Sequence, residues 1–489
     1  MKILNCITLL TFVLVIFSQP VFSQDHHYWS QQFGSRSVLM SGAVVGGVRD
    51  TSAGFYNPGA LGFVDQPSLS VSANAYQLES LSIDNGIGTD SSLDSEKISI
   101  IPLLASGTLV FDLLPNHTFG YSLLAKNNTS IDTSGRVEKN IEVIGDINHA
   151  DDTVSFQGEE NYIGQVIASS EVTELWGGLS WANQVRPNIS VGATAFMAFR
   201  NQTQNQTITA RAENGSRLAS VDQLDYIDFW NIRLLLKLGI AAEFDALKLG
   251  MTVTTPSRNL FGQATVAGED SFNNKYDPVQ DKFFGKLVSN RQENLDTTYK
   301  TPVSIALGFE YAVAKKTNIA GTVEWFAEQS KYDVITPGSH SFLRNIIVDE
   351  MIAFDESLEE RELLKVKDGA ESVINFAVAI EHDLTNITKA YLGFRVDHET
   401  NPNSTEGHSL GITNWDIYHI TAGATFERKR SELAVGLTYS IGSSKKNFMQ
   451  FANFANVGDG SLLGEPQDTT TDYDALSLIV GYTYFFSKR

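Results

Sequence analysis

Cysteine is almost missing from this sequence: its one thiol, Cys6, falls within the first ten residues. Disulfide scaffolds, cysteine metal sites and thiol redox chemistry are excluded from everything that follows it. Long apolar runs are missing too. No stretch reaches the roughly 18 uninterrupted apolar residues of a membrane-crossing helix; Ile98 to Phe111 comes nearest and is broken by Pro102 and Gly107. Basic residues are scarce, 36 Lys and Arg against 57 Asp and Glu, which argues against nucleic acid as a partner. Nor does a Pro- or Ser-rich linker divide the 489 residues, so one large domain explains the length more simply than three ordinary ones.

What is present begins with a leader. Residues 1–23 carry one early charge, Lys2, an apolar core from Leu9 to Phe17, and Val21-Phe22-Ser23 as a cleavage site, so they read as a signal peptide with Gln24 first in the mature chain. Without Lys2 the mature chain sets 35 basic against 57 acidic residues, a net charge of −22.

The other end holds the clearest pattern. From Ala475 to Phe486, Leu476, Leu478, Val480, Tyr482, Tyr484 and Phe486 alternate with Ala475, Ser477, Gly481 and Thr483. A period of two with one apolar face and one small or polar face, and aromatics gathered at one end, suits a strand of a closed barrel in lipid. Two further strands repeat it: Val303, Ile305, Leu307, Phe309 and Tyr311 oppose Ser304, Ala306, Gly308 and Glu310, and Leu433 to Ile441 oppose Glu432 to Ser440. Short turns fall around Pro115-Asn116, Arg186-Pro187-Asn188, Asp245-Ala246, Lys315-Lys316-Thr317, Thr385-Asn386 and Arg428-Lys429-Arg430. Six hairpins, a first strand near Leu69–Leu78 and the terminal strand make fourteen. The predicted fold is all-β, a transmembrane antiparallel β-barrel of about fourteen strands over 67–489, with both termini on the short-turn, periplasmic side of a bacterial outer membrane. Long polar connections near 128–171, 202–226, 255–300, 329–371, 398–416 and 442–474 are then extracellular loops.

Extending the parity turns Arg200, Arg233, Lys237 and Arg395 into the lumen, with Glu243, Glu310, Glu324, Glu381 and Glu427, because a charge facing mid-bilayer lipid costs roughly 2–4 kcal/mol. These charges either pair within the wall or bind ligand.

Residues 24–66 are not barrel-like. Ser41 to Val48 is a run of small residues, followed by Arg49-Asp50-Thr51-Ser52 and then Phe55-Tyr56-Asn57-Pro58-Gly59. A small-residue run, Asp-x-Ser/Thr, and Asn-Pro-Gly/Ala just ahead of the first strand resembles the outer-membrane long-chain fatty-acid and hydrophobic-compound transporters of the FadL/TodX family. The resemblance is concentrated in residues 33–78 and is architectural beyond them. It implies that 24–66 is a hatch plugging the barrel, and that hydrophobic molecules pass without an energy source: caught by extracellular loops, held against the hatch and released sideways into the membrane. Gly59 stands where the family often has Ala, which reads as a mild change. The partners so implied are a hydrophobic small molecule, outer-membrane lipid and lipopolysaccharide; a monomer is one possible state, and no cofactor and no metal is expected.

Within that frame Phe55 and Tyr56 either touch an acyl chain or pack the plug, and Asn57 with Pro58 fixes its turn. A carboxylate head group would take a bidentate arginine, with Arg200, Arg233 and Arg395 as unranked candidates. Leu343, Ile346, Ile347, Met351, Phe354 and Leu358 fall at helical spacing among acidic residues. They predict a short amphipathic helix in an extracellular loop, forming a capture groove through Leu343, Ile347, Met351 and Phe354 or packing on the rim; Phe283 to Leu287 shares either role. Gly407-His408-Ser409-Leu410-Gly411 matches a nucleophile elbow, but a polar loop lacks its strand-then-helix setting, so no enzyme is expected. His26-His27 is weak evidence for a metal. A water-filled porin and a barrel-based interaction or secretion accessory remain as alternative readings.

Overall fold

The computed structural model describes residues 23–24, 27–64, 66–111, 113–114, 116–144, 156, 158–215, 217–277, 282–339, 343–348, 351–354, 364–401, 408–409, 411–412, 415–445, 450–458, 460–465 and 467–486. The predicted leader, apart from Ser23, lies outside them.

Fourteen strands close the wall: β1 (Ser68–Asp84), β2 (Leu93–Val110), β3 (His117–Ile141), β4 (Glu160–Arg186), β5 (Ile189–Asn214), β6 (Arg217–Phe244), β7 (Leu247–Thr254), β8 (Ser304–Ala314), β9 (Thr317–Phe326), β10 (Val373–Asp383), β11 (Thr388–Asp397), β12 (Ile417–Arg428), β13 (Ser431–Ser444) and β14 (Thr470–Phe485). Each pairs antiparallel with its neighbours, and β14 pairs with β1 to shut the cylinder. The outward residues Leu433, Val435, Leu437, Tyr439 and Ile441 of β13 are exposed, whereas Ala434, Thr438 and Ser440 are buried. A belt of that kind is stable only against lipid. No helix among the described residues is long and apolar enough to cross a membrane. The six short turns lie where the sequence predicts them.

The long connections differ from expectation. Strands β3 to β6 run 25–28 residues, well past the roughly 9–11 that cross a bilayer. Strands Arg258–Asp277 and Lys282–Asp296 continue the sheet beside β6. Much of 128–171, 202–226 and 255–300 is therefore standing wall rather than loop. Once above lipid, a strand such as Gln202–Thr209 of β5 has polar residues on both faces, so the alternation that marks a membrane strand vanishes while its threonines still favour extended backbone.

Among the described residues the predicted amphipathic helix is absent. Leu343 and Ile347 lie in strand Leu343–Val348, and Met351 and Phe354 in strand Met351–Phe354. The two form a hairpin, and its first strand pairs with Phe284–Ser289. Consecutive β-branched residues, Ile346-Ile347-Val348, and a waiting sheet edge outweigh the helical spacing; Leu358 lies outside the described residues. Another small sheet, Gln329–Ile335 with Val366–Ala370 and His408–Ser409, covers the lumen at the long-loop end. It packs on Ile227, Phe229, Ala264 and Val266 of the raised wall.

Residues 27–64 run inside the cylinder as α1 (Ser35–Leu39), α2 (Ala53–Tyr56) and a 3₁₀ turn, Pro58–Phe63. Strand β14 ends at the short-turn rim, as expected. The inner segment starts at the other end from the one where β14 finishes, rather than on the short-turn side with it: the His27 ring bonds the Trp415 carbonyl beside the head of β12, at the long-loop end.

Candidate functional site

The inner segment is fixed by backbone fit and by charge. Asn57 is fully buried; its Nδ2 donates to the carbonyls of Val45 (2.9 Å) and Ile240 (3.0 Å), and its Oδ1 accepts from Gly59 N–H (3.0 Å). Opposite it, inward glycines on four neighbouring strands, Gly192, Gly239, Gly250 and Gly308, leave room for the backbone of Pro58, Gly59, Val45 and Gly46. A Cβ at Gly59 would stand 2.7 Å from the Gly239 carbonyl oxygen, so Ala there is a clash with wall backbone, not the mild exchange the sequence suggests. Asp50 accepts from the N–H (2.8 Å) and hydroxyl of Ser52, closing a local turn. Arg49 pairs with Glu243 at 2.5 Å. Arg36 bridges Glu310 (2.8 Å) and Glu381 (2.7 Å), which also face Lys248 and Lys389.

Two chambers flank residues 27–32. One is lined by Tyr28, Phe55, Trp176, Tyr299 and Phe326, with Lys126, Arg200, Arg233 and Lys237 among them. Phe55 thus faces open space, packing edge-on to Phe33 at 4.7 Å between ring centroids and lying under Lys237 Nζ at 4.7 Å. Tyr56 is structural: its hydroxyl donates to Gln32 Oε1 (2.8 Å) and accepts from Phe33 N–H (2.9 Å). Arg200 and Arg233 share one carboxylate, Glu174, which Arg200 meets at 2.8 Å and which also accepts from Trp176 Nε1. Both guanidinium groups sit 4.5 Å from the Tyr299 ring centre. Above them Asp368, in the cover sheet, accepts from Tyr332 O–H at 2.9 Å, and burial pushes its carboxyl up to about 6.

The second chamber lies beside a break in the wall. Strand β2 pairs with β3 only between Leu104–Val110 and Thr118–Leu124. Above that, Leu93–Leu103 and Ala125–Ile141 are not paired with each other, and Asp132 N–H to Ser95 Oγ (3.1 Å) is one polar contact across the gap. Pro102, which has no N–H for a ladder, stands at the fork, and β3 carries a bulge between Ala125 and Asn127. Ser95, Lys97 and Leu103 of β2 and Asn128 to Ile131 of β3 line the chamber, which extends inward to Arg395, Trp415 and His419.

The structure therefore brings Phe55, Arg200 and Arg233 to one chamber and Arg395 to another, and gives Tyr56, Arg49, Asp50, Asn57, Pro58 and Gly59 to the docking of the inner segment. Leu343, Ile347, Met351 and Phe354 lie in the hairpin that pairs with Phe284–Ser289. Glu174, Trp176, Tyr299, Trp415 and His419 were not singled out from the sequence; inward parity on β4 and β12 was the available signal for Glu174 and His419. Ser409 lies in a two-residue strand followed by another, Gly411–Ile412, which is not elbow geometry. No metal-binding cluster occurs among the described residues.

No protein-family profile matches the chain. No curated protein sequence matches it either. Solved structures do. A FadL homologue from Pseudomonas aeruginosa aligns at TM-score 0.58 and 13% identity, covering 94% of this chain and 100% of its own. The toluene transporter TbuX of Ralstonia pickettii aligns at 0.52 and 12% identity, covering 93% and 98%. The toluene transporter TodX of P. putida aligns at 0.50 and 12%, covering 94% and 99%. Chain and neighbours match almost end to end, so this protein has the fold of the FadL/TodX-type barrels.

Proposed function

We propose that the chain is an outer-membrane transport protein through which hydrophobic compounds, long-chain fatty acids among them, enter by diffusion. In this reading the long-loop end faces outward, residues 24–66 plug the lumen, the aromatic chamber around Phe55 holds ligand, and the gap between β2 and β3 releases it sideways into lipid. The observation that carries it is that gap, reached from a chamber inside the wall and floored by Pro102. An apolar solute gains about 0.8 kcal/mol per CH₂ on leaving water, so a pocket that opens on lipid supplies a downhill path. A water-filled porin fits less well, because residues 27–64 occupy the lumen with buried side chains.

Bridging the gap tests the reading. With Ser95→Cys and Ser130→Cys, one on each lip, a short bis-thiosulfonate reagent should cut uptake of labelled hexadecanoate by cells about tenfold or more, and reductant should restore it. Undiminished uptake by the bridged protein would rule out this exit.

A further inference from the structure

The wall is interrupted at a second place, beside the aromatic chamber. Strand β7 pairs with β8 up to Thr254 and Ser304, and the strands that continue them, Arg258–Asp277 and Lys282–Asp296, pair again only from Gln263 and Asp296 upward. In between, 255–262 face 297–303 without a ladder. Two causes are local. Pro256 and Pro302, one on each side, have no N–H to give. Thr297 and Thr298 turn to the cover sheet instead, Thr297 bridging Ile335 and Thr298 N–H donating to the Val334 carbonyl (2.9 Å). The side toward β6 is spared, since β7 and Arg258–Asp277 both pair with it.

A small latch holds the two lips together. Ser257 N–H donates to the Thr301 carbonyl (3.1 Å) and Thr301 N–H to Ser257 Oγ (2.8 Å); higher up, Asn259 Nδ2 reaches the Thr297 carbonyl (3.0 Å). Ser257 stands about ten residues past Leu247 and Thr301 about thirteen before Ala314, where the roughly 9–11 residues that cross a bilayer are used up. Outside, Leu234, Leu236, Leu260 and Phe261 expose apolar side chains. Inside, Tyr299, Lys300, Thr301 and Pro302 line the aromatic chamber, and Lys300 is exposed as well. Asp368, Gly369 and Ala370 of the cover sheet roof the same chamber. A thin strip of chain therefore separates the chamber from the upper edge of the lipid, while the way from above is covered.

We infer that this strip is the entrance: hydrophobic molecules dissolved in the outer leaflet pass between Ser257 and Thr301 into the aromatic chamber. The protein then draws its cargo from lipid rather than from the water above its loops. The inference rests on the transport reading and adds to it a source and a second side opening, distinct from the gap between β2 and β3.

The test is stopped-flow quenching of Trp176, which lines the chamber, by 1-bromodecane delivered in lipid to the full chain in vesicles. Trp176→Phe identifies that residue's share of the signal. Arg258→Cys and Lys300→Cys, exposed neighbours of the latch, should let a short bis-thiosulfonate reagent slow quenching about tenfold or more without changing its final extent, and reductant should restore the rate. Ser257→Ala, which removes the Oγ acceptor, should instead speed quenching about fivefold, the effect of one neutral hydrogen bond. A bridge between Asn205→Cys and Tyr226→Cys, partners in an unbroken part of the wall, should change neither rate nor extent. Heat-modifiable migration on gels verifies that each variant is folded. A rate unchanged by the Arg258–Lys300 bridge, or by Ser257→Ala, overturns the entrance while hydrophobic transport stands, as does equal slowing by the Asn205–Tyr226 bridge. An Arg258–Lys300 bridge that lowers the final extent as much as the rate has deformed the chamber and overturns it too. Failure of 1-bromodecane to quench Trp176 in the unaltered protein at any concentration overturns the transport reading as well.

Discussion

Replacing Asn57 by Ala removes one side chain that joins two stretches of the inner segment to the wall. Three hydrogen bonds disappear: those to Val45 and Ile240, and the one from Gly59. At about 1 kcal/mol net for each in a buried setting, the segment loses about 3 kcal/mol of docking free energy. That is about a 100-fold rise in the population of the undocked segment. The wall should be spared, because its ladders do not use Asn57. Amide hydrogen exchange in detergent, followed by mass spectrometry, separates the two: peptides within 42–62 should exchange about 100-fold faster, while those from β1 and β14 stay protected. Gly59→Ala should give the same pattern by another route, pushing a methyl into the Gly239 carbonyl. Unchanged exchange over 42–62 would refute the idea that Asn57 secures the segment. Equal acceleration at the β1–β14 seam would refute the idea that segment and wall are separable.

Glu174→Gln leaves two buried guanidinium groups without their shared carboxylate, and should cost about 3–5 kcal/mol in urea unfolding from lipid vesicles; a loss below about 1 kcal/mol would mean solvent already compensates them. Asp368 binds its proton more tightly folded than unfolded, so its contribution to the cover sheet is full below about pH 4 and lost as pH rises through about 6. Exchange within 329–335 and 366–370, corrected for intrinsic rate, should be slower at pH 4.5 than at pH 7, and Asp368→Asn should flatten the difference; a pH-independent result in the unaltered protein would refute it.

The barrel was legible because lipid on one side and a filled lumen on the other force a strict period of two, as in β13 and β14. Its short turns were legible because hairpins need particular residues, Asp245-Ala246 and Arg428-Lys429-Arg430 among them. Above the membrane that contrast ends: β5 from Gln202 on has no apolar face to lipid, and its strand character had to come from its neighbours β4 and β6. The hairpin at 343–354 was misread for a related reason, since a short apolar run fits either period until its partner at Phe284–Ser289 is known. At the candidate site, inward direction followed from parity, whereas compensation did not. Arg200, Arg233 and Arg395 look alike in the sequence; only Glu174, on a different strand, separates the first two from the third. The gap between β2 and β3 left a trace in Pro102, a residue that weakens any strand it interrupts.

The close seating of residues 45–59 on the wall glycines carries a consequence for how the molecule is assembled. The segment touches the wall at separations that leave no space even for a methyl group at Gly46, Gly59, Gly239 or Gly250. Seating this close favours an order of assembly in which the segment settles on β5 to β8 before the seam between β1 and β14 closes, since interiors packed without voids yield little to a late arrival.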